Sequence, residues 1–130
     1  MAVSRTSISV GEIIRAILTE DDEVMARCNK IFPVVTDRAD LPYILYRRTA
    51  LDQTPTKTMA AKADGAQLEV LCFTEKYGEG VELAEAVRQT LDGVQGELNG
   101  LRMRSCALTD YEEAWQDDAY VQQLVFTVKV

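Results

Sequence analysis

Leu68-Glu69-Val70-Leu71-Cys72-Phe73-Thr74 runs on through Glu75-Lys76-Tyr77-Gly78-Glu79-Gly80 into Val81-Glu82-Leu83-Ala84-Glu85-Ala86-Val87-Arg88-Gln89-Thr90-Leu91-Asp92-Gly93, and the period of its apolar residues changes on the way. In the first seven residues, positions 68, 70 and 72 are apolar and share one face of a pleated strand, while Leu71 and Phe73 give the other face partial cover. From Val81 the spacing is helical. Leu83, Ala86, Val87, Thr90 and Leu91 recur at threes and fours, Glu82, Glu85 and Gln89 take the wet side, and Gly93 supplies a left-handed cap. One strand therefore feeds one crossover helix, expected from Val81 to Leu91 and packed on a sheet through Leu83, Val87 and Leu91.

Upstream, Val10, Ile13, Ile14, Ile17 and Leu18 form one apolar stripe, which predicts a helix from Val10 to Leu18 with Ser9 as N-cap and Glu12 at capping-box spacing. A second, shorter helix starts at Asp21 or Asp22, where carboxylates meet the positive end of the helix dipole, carries Val24, Met25 and Cys28, and ends before Pro33. Ile31 to Val35 reads as extended. Tyr43 to Leu51 reads as a full strand, with Tyr43, Leu45 and Arg47 on one face and Ile44, Tyr46 and Arg48 on the other. Asp52 to Gly65 is polar, carries Pro55 and Gly65, and keeps no period despite Met59-Ala60-Ala61, so it reads as a long loop of the kind that is functional or mobile.

Downstream, Gln95 to Gly100 is a glycine-punctuated turn. Leu101, Met103, Ser105 and Ala107 alternate with Arg102, Arg104, Cys106 and Leu108 in a third strand, an acidic loop follows, and Tyr120, Gln122, Leu124, Phe126 and Val128 alternate with Val121, Gln123, Val125 and Thr127 in a fourth. The order is helix, helix, strand, strand, helix, strand, strand (ααββαββ). It implies an α+β fold with about four strands in a mainly antiparallel or mixed sheet and the helices on one face.

A chain of 130 residues fits one domain, residues 1–130, and folding buries roughly two-thirds of its unfolded surface. No low-complexity tract or internal repeat is visible. Met1-Ala2-Val3-Ser4-Arg5-Thr6 offers no apolar core of secretory length, and no later apolar run reaches the ~20 residues of a membrane span, so the expectation is a protein that stays in the cytosol where it is made and meets no membrane. Cys28, Cys72 and Cys106 are odd in number and widely spaced, each in an apolar or mixed pattern, and read as reduced core residues. With no histidine and no Cys-x-x-Cys, a zinc site would need an unusual ligand set.

The formal charge of −7 argues against a non-specific DNA-binding surface, which needs clustered Lys and Arg. The acid is uneven: Asp110, Glu112, Glu113, Asp117 and Asp118 place five carboxylates in nine residues without a base, and Glu20, Asp21, Asp22 and Glu23 form a second block. Closely spaced carboxylates suit a calcium site or an acid–base pair. Yet Asp110-Tyr111-Glu112-Glu113-Ala114-Trp115-Gln116-Asp117 lacks both the alternation and the sixth-position glycine of an EF-hand loop, so a solvated turn or a partner-binding edge fits better. Trp115, the only tryptophan, and Tyr111 sit in the same stretch, as aromatic residues at protein interfaces do, unless the ring folds back over the core. Arg47 and Arg48 would suit a clamp on a neighbouring subunit's carboxylate, or a solvated strand end.

Nucleophilic catalysis has no support: no histidine is present to act as base, and neither Ser105 nor Cys106 lies in a glycine-rich elbow. Gly78-x-Gly80 before a helix could hold an anion, but Glu79 and Glu82 oppose a phosphate, and the two glycines read as turn residues.

The strand-to-helix segment, preceded by Leu41-Pro42-Tyr43-Ile44-Leu45-Tyr46 and followed by Asp110-Tyr111-Glu112-Glu113, resembles the bacteriophage tail completion family, also called tail terminators or tail-to-head joining proteins. Further strings carry the likeness along nearly the whole chain: Ile31-Phe32-Pro33 after two helices, Leu-Pro-Tyr opening a strand, and Phe73-Thr74-Glu75-Lys76-Tyr77 leading into Glu82-Leu83-Ala84-Glu85-Ala86-Val87-Arg88. The resemblance implies a structural protein of a phage or prophage virion tail, assembled in the bacterial cytoplasm. It implies a ring, typically hexameric, on the head-proximal end of the tail tube, contacting the tube protein and the head connector, with no catalytic residue, cofactor or sequence-specific nucleic acid. On that reading the 52–65 loop orders against the tube or an adjacent subunit, and an acidic lumen limits DNA sticking. The rival reading is a small α+β enzyme or ligand-binding domain using Asp110, Glu112 or Glu113 with Tyr111.

Overall fold

The structure, a computed structural model, describes residues 7–34, 40–54 and 63–130. A single 3-10 turn at Ser7–Ser9 leads into α1 (Val10–Glu20) and α2 (Asp22–Arg27); β1 (Ile31–Pro33), β2 (Tyr43–Thr54) and β3 (Ala63–Thr74) precede α3 (Tyr77–Leu91); β4 (Gly96–Leu98), β5 (Leu101–Met103), β6 (Ser105–Gln116) and β7 (Ala119–Lys129) complete the chain. The fold is α+β. Five strands form one sheet in the order β1-β2-β3-β7-β6, parallel between β1 and β2 and antiparallel elsewhere, while β4 and β5 make a separate two-stranded ribbon. The helices pack on one face.

Alternation in β3 and β7 accounts for the core. Leu68, Val70 and Cys72 face the helices beside Leu124, Phe126 and Val128, and against them lie Val10, Ile13, Ile14 and Leu18 of α1, Val24 of α2 and Leu83, Val87 and Leu91 of α3. A smaller apolar cluster on the opposite face joins Phe73, Ala119 and Val121 to Leu41, Tyr43, Leu45 and Leu71, with the Tyr43 and Phe73 rings stacked at 4.6 Å.

Several sequence expectations change in detail. Asp52 to Gly65 is not one loop, because Asp52, Gln53 and Thr54 pair with Gly65, Asp64 and Ala63 and extend the β2–β3 hairpin. Backbone pairing needs no apolar period, so a polar stretch hides it; residues 55–62 lie outside the described residues. The expected third strand is two, since Leu101 and Met103 both point into the core in β5 and the chain leaves that ribbon at Arg104 to restart as β6. The expected turn at Gln95 to Gly100 contains β4, and a left-handed pair, Asn99 (φ 53°) and Gly100 (φ 82°), makes the tight reversal to β5.

The helices follow their signals more closely. Asp21 caps α2, its side chain accepting the Val24 N–H at 2.9 Å. Ser9 precedes α1 but makes no side-chain cap bond, the 3-10 turn having already set the entry. α3 begins at Tyr77, four residues before the expected start, and Gly93 (φ 84°) takes the left-handed conformation just beyond its end. Gly78 and Gly80 therefore lie in its first turns. Gly80 is there because a Cβ would stand 2.7 Å from Thr74 Oγ1 and 3.3 Å from Gln122 Cγ.

Candidate interaction surface

The acidic segment is strand, not loop. Asp110 to Gln116 pair with Val125 to Ala119 of β7, and only Asp117 (φ 52°) and Asp118 (φ 60°) turn the chain, both left-handed as a two-residue hairpin turn requires. The expectation of a loop failed because neither face of β6 beyond Leu108 is covered, so no apolar alternation marks the strand. A bulge at Thr109 then changes the parity: Leu108 pairs with Phe126 and Asp110 with Val125, two residues of β6 against one step of β7. After it, Tyr111, Glu113 and Trp115 share the helix side with Leu124, Gln122 and Tyr120, and Asp110, Glu112 and Ala114 lie on the open side.

On the helix side the rings form a connected strip. Trp115, 57% exposed, meets Tyr120 edge to face at 4.7 Å, and Tyr120 meets Tyr77 in the same manner at 5.6 Å. Tyr77 hydrogen-bonds Glu113, and this bond, which the neutral phenol donates, raises the Tyr77 pKa. Tyr111 donates its hydroxyl to Oε1 of the buried Gln122. Partial burial, then the charge of Glu113, pushes Tyr111 up to about 12, so both tyrosines stay neutral donors at physiological pH.

Among the described residues none of Asp110, Glu112, Glu113, Asp117 and Asp118 has a Lys or Arg partner. No base occurs between Arg104 and Lys129. The hairpin thus presents uncompensated negative charge on both faces of an edge strand, around an exposed indole. The same alternation keeps Asp110 and Glu112 from converging with Glu113, and no His, Cys, Asp or Glu cluster of metal-binding geometry occurs among the described residues.

Arg47 and Arg48 sit near the other edge of the sheet, and consecutive positions send them to opposite faces. Arg47 on the open side places Nε and Nη2 each 2.9 Å from Oε2 of Glu69. Arg48 on the helix side donates to the Ile8 carbonyl at 3.0 Å. The two do not form one clamp. Around them opens a groove lined also by Ile8, Pro33, Val34 and Tyr46, with Ile8 66% and Val34 61% exposed.

Sequence reasoning missed Tyr77 and Tyr120 as parts of the aromatic strip. A two-residue turn at Asp117-Asp118 would have set Trp115 opposite Tyr120, but Asp-Asp is a weaker turn signal than Asn-Gly. Cys28, Cys72 and Cys106 are all buried free thiols, each pushed up chiefly by burial, Cys106 to about 12. No described helix is long and apolar enough to cross a membrane.

Residues 12–130 match the model of the family described as tail completion protein gp17. Among solved structures, a chain of the virion of a native gene transfer agent particle superposes with a TM-score of 0.77 at 15% identity, covering 96% of this chain and 98% of its own. A second solved chain covers 92% of this one and 94% of its own at 12% identity and a TM-score of 0.53. At these identities the superpositions establish shared fold. No protein of curated function matches the sequence significantly.

Proposed function

The chain belongs to the tail completion protein gp17 family, and from that premise we propose that it caps the head-proximal end of a tail tube, ends its polymerisation and joins tail to head. It is a structural protein of a phage-type tail. In this reading several copies, six by the family resemblance, form a ring that sits on the tube protein and offers its other side to the head connector. The family match over residues 12–130 carries the proposal. A likeness of fold to a chain from a gene transfer agent virion, a phage-like particle, accords with it.

The surface chemistry supports the same reading. The carboxylates of β6 alternate between faces and surround an exposed aromatic strip, an arrangement suited to contact over an area and unsuited to converging on one reacting atom. Deleting the gene from the phage or prophage that carries it, and examining the particles by electron microscopy, tests the function. Unjoined heads beside tubes of irregular length, corrected by the intact chain supplied in trans, are expected. Normal joined particles without the chain would overturn the proposal.

A further inference from the structure

The two edges of the main sheet are unlike, and each is incomplete. At one, β6 is unpaired on its outer side along its length among the described residues. At the other, β1 covers only Ile44, Leu45 and Tyr46 of β2, and the last bond across that seam is from the Val34 N–H to the Tyr46 carbonyl at 2.8 Å. From Arg47 onward β2 has no strand beside it on that side among the described residues. Unpaired strand edges are templates for another chain.

The side chains flanking the two edges complement one another. Along β6, Glu113 and Trp115 occupy the helix side and Asp110 and Glu112 the open side; along β2, Arg48 occupies the helix side and Arg47 the open side. Beside Arg47 and Arg48 lies the groove with exposed Ile8 and Val34, apolar surface of the kind an indole covers. Strand directions agree as well. In the order β2-β3-β7-β6 every neighbour is antiparallel, so β6 runs opposite to β2, and a second copy set beside the first in the same orientation brings its β2 antiparallel to β6.

We propose that β6 of one copy pairs with the β2 edge of the next from Arg47 onward, continuing the sheet across the subunit boundary, with Arg48 beside Glu113 and Trp115 on the helix side and Arg47 diagonal to Glu112 on the open side. The contact is heterologous, as a ring requires, because each protomer uses one edge to give and the other to receive. Pairing of β6 with another β6 is disfavoured, since it would set carboxylates opposite carboxylates on both faces. The inference deepens the ring reading above and rests on it.

Mixing purified Arg48→Cys protein with Glu113→Cys protein under a mild oxidant tests the pairing, the three native thiols being buried. A disulfide-linked dimer is expected in the mixture and in neither protein alone. Arg48→Glu should weaken self-association about tenfold or more, measured by sedimentation, and Arg48→Glu with Glu113→Arg in the same chain should restore it. Dimers from Glu113→Cys alone would show symmetric β6 pairing and overturn the proposal. So would a chain that stays monomeric at every concentration, or β6 amides protected from exchange only when purified tail tubes are added. The two readings fail separately: a monomer that still restores joined particles in trans refutes this pairing and leaves tail completion standing, whereas a correctly cross-linked assembly without such activity does the reverse.

Discussion

The hydroxyl of Tyr111 donates to Oε1 of Gln122, so an edge-strand tyrosine on β6 satisfies a side-chain amide on β7 that is 1% exposed. Tyr111→Phe keeps the ring and removes the donor, leaving a buried acceptor without its partner at a cost of about 1–3 kcal/mol. Adding Gln122→Leu removes both polar partners, and most of that loss should be recovered. Urea denaturation of the two single variants and the double variant measures the coupling, and strictly additive losses would show that the bond contributes nothing.

The same phenol makes stability depend on pH at the alkaline end. Tyr111 is raised to about 12 from 10.0, and Tyr77 is raised by its bond to Glu113. A group with a raised folded-state pKa holds its proton more tightly when folded, so the unfolded chain loses protons first as pH climbs. The contribution is complete below about pH 10 and drains away as pH rises through about 12. Melting temperature should therefore fall over that window, and Tyr111→Phe should fall less steeply than the parent. Parallel curves would refute the role of Tyr111.

Gly80→Ala should destabilise, against the usual gain of about 1 kcal/mol for replacing glycine inside a helix. The new Cβ would stand 2.7 Å from Thr74 Oγ1, and Thr74 is buried with that oxygen already donating to the Lys76 carbonyl at 2.8 Å. Overpacking of this kind costs about 1–3 kcal/mol. Gly78→Ala meets nothing within 4 Å and should gain stability. The contrast between the two, read by thermal melting, is the check, and a stabilised Gly80→Ala would mean that α3 stands further from the sheet.

What the sequence made legible follows from how strongly each segment is buried. α3 was readable because Leu83, Val87 and Leu91 all enter the core and impose a helical period, and α2 because Asp21 caps it. The distal part of the β2–β3 hairpin and all of β6 beyond Leu108 were not, because pairing there is backbone to backbone and no alternation of burial records it. The carboxylates, Tyr111 and Trp115 could be singled out from composition. Which face of the sheet each set takes could not, since it depends on one bulged residue, and the opposite aim of Arg47 and Arg48 needed the strand in place.

Leu83 links that legible part to the fold's stability. It is 1% exposed and packs in the main core, so Leu83→Ala should cost about 2–5 kcal/mol, the upper end applying if the cavity stays open. A melting temperature unchanged by the substitution would place the side chain outside the core.

Deleting Thr109 tests the bulge on which the faces of β6 depend. Thr109 is the extra residue between the Leu108–Phe126 and Asp110–Val125 pairs, so its removal gives a regular ladder and leaves every downstream pair intact. Tyr111 still falls opposite Leu124, and Trp115 still meets Tyr120. Lost are the Thr109 hydroxyl's contacts with Thr127 Oγ1 at 3.1 Å and the Val125 carbonyl at 3.4 Å, both exposed. Exposed bonds of this kind contribute at most about 0.5–1.5 kcal/mol each, and the bulge's local twist relaxes with them. The deletion variant should fold with a small loss of stability and an unchanged Trp115 emission, whereas Thr109→Ala, which keeps the bulge, should lose the hydroxyl contacts alone. Were the strand unbulged in the native protein, with Leu108 opposite Phe126, Asp110 and Glu112 would already lie on the helix side, and deleting one residue would slip the register and move Tyr111, Glu113 and Trp115 from the open side onto it. A variant that unfolds, or whose sole tryptophan shifts its emission sharply, would therefore reject the bulge and with it the assignment of Glu113 and Trp115 to the helix side.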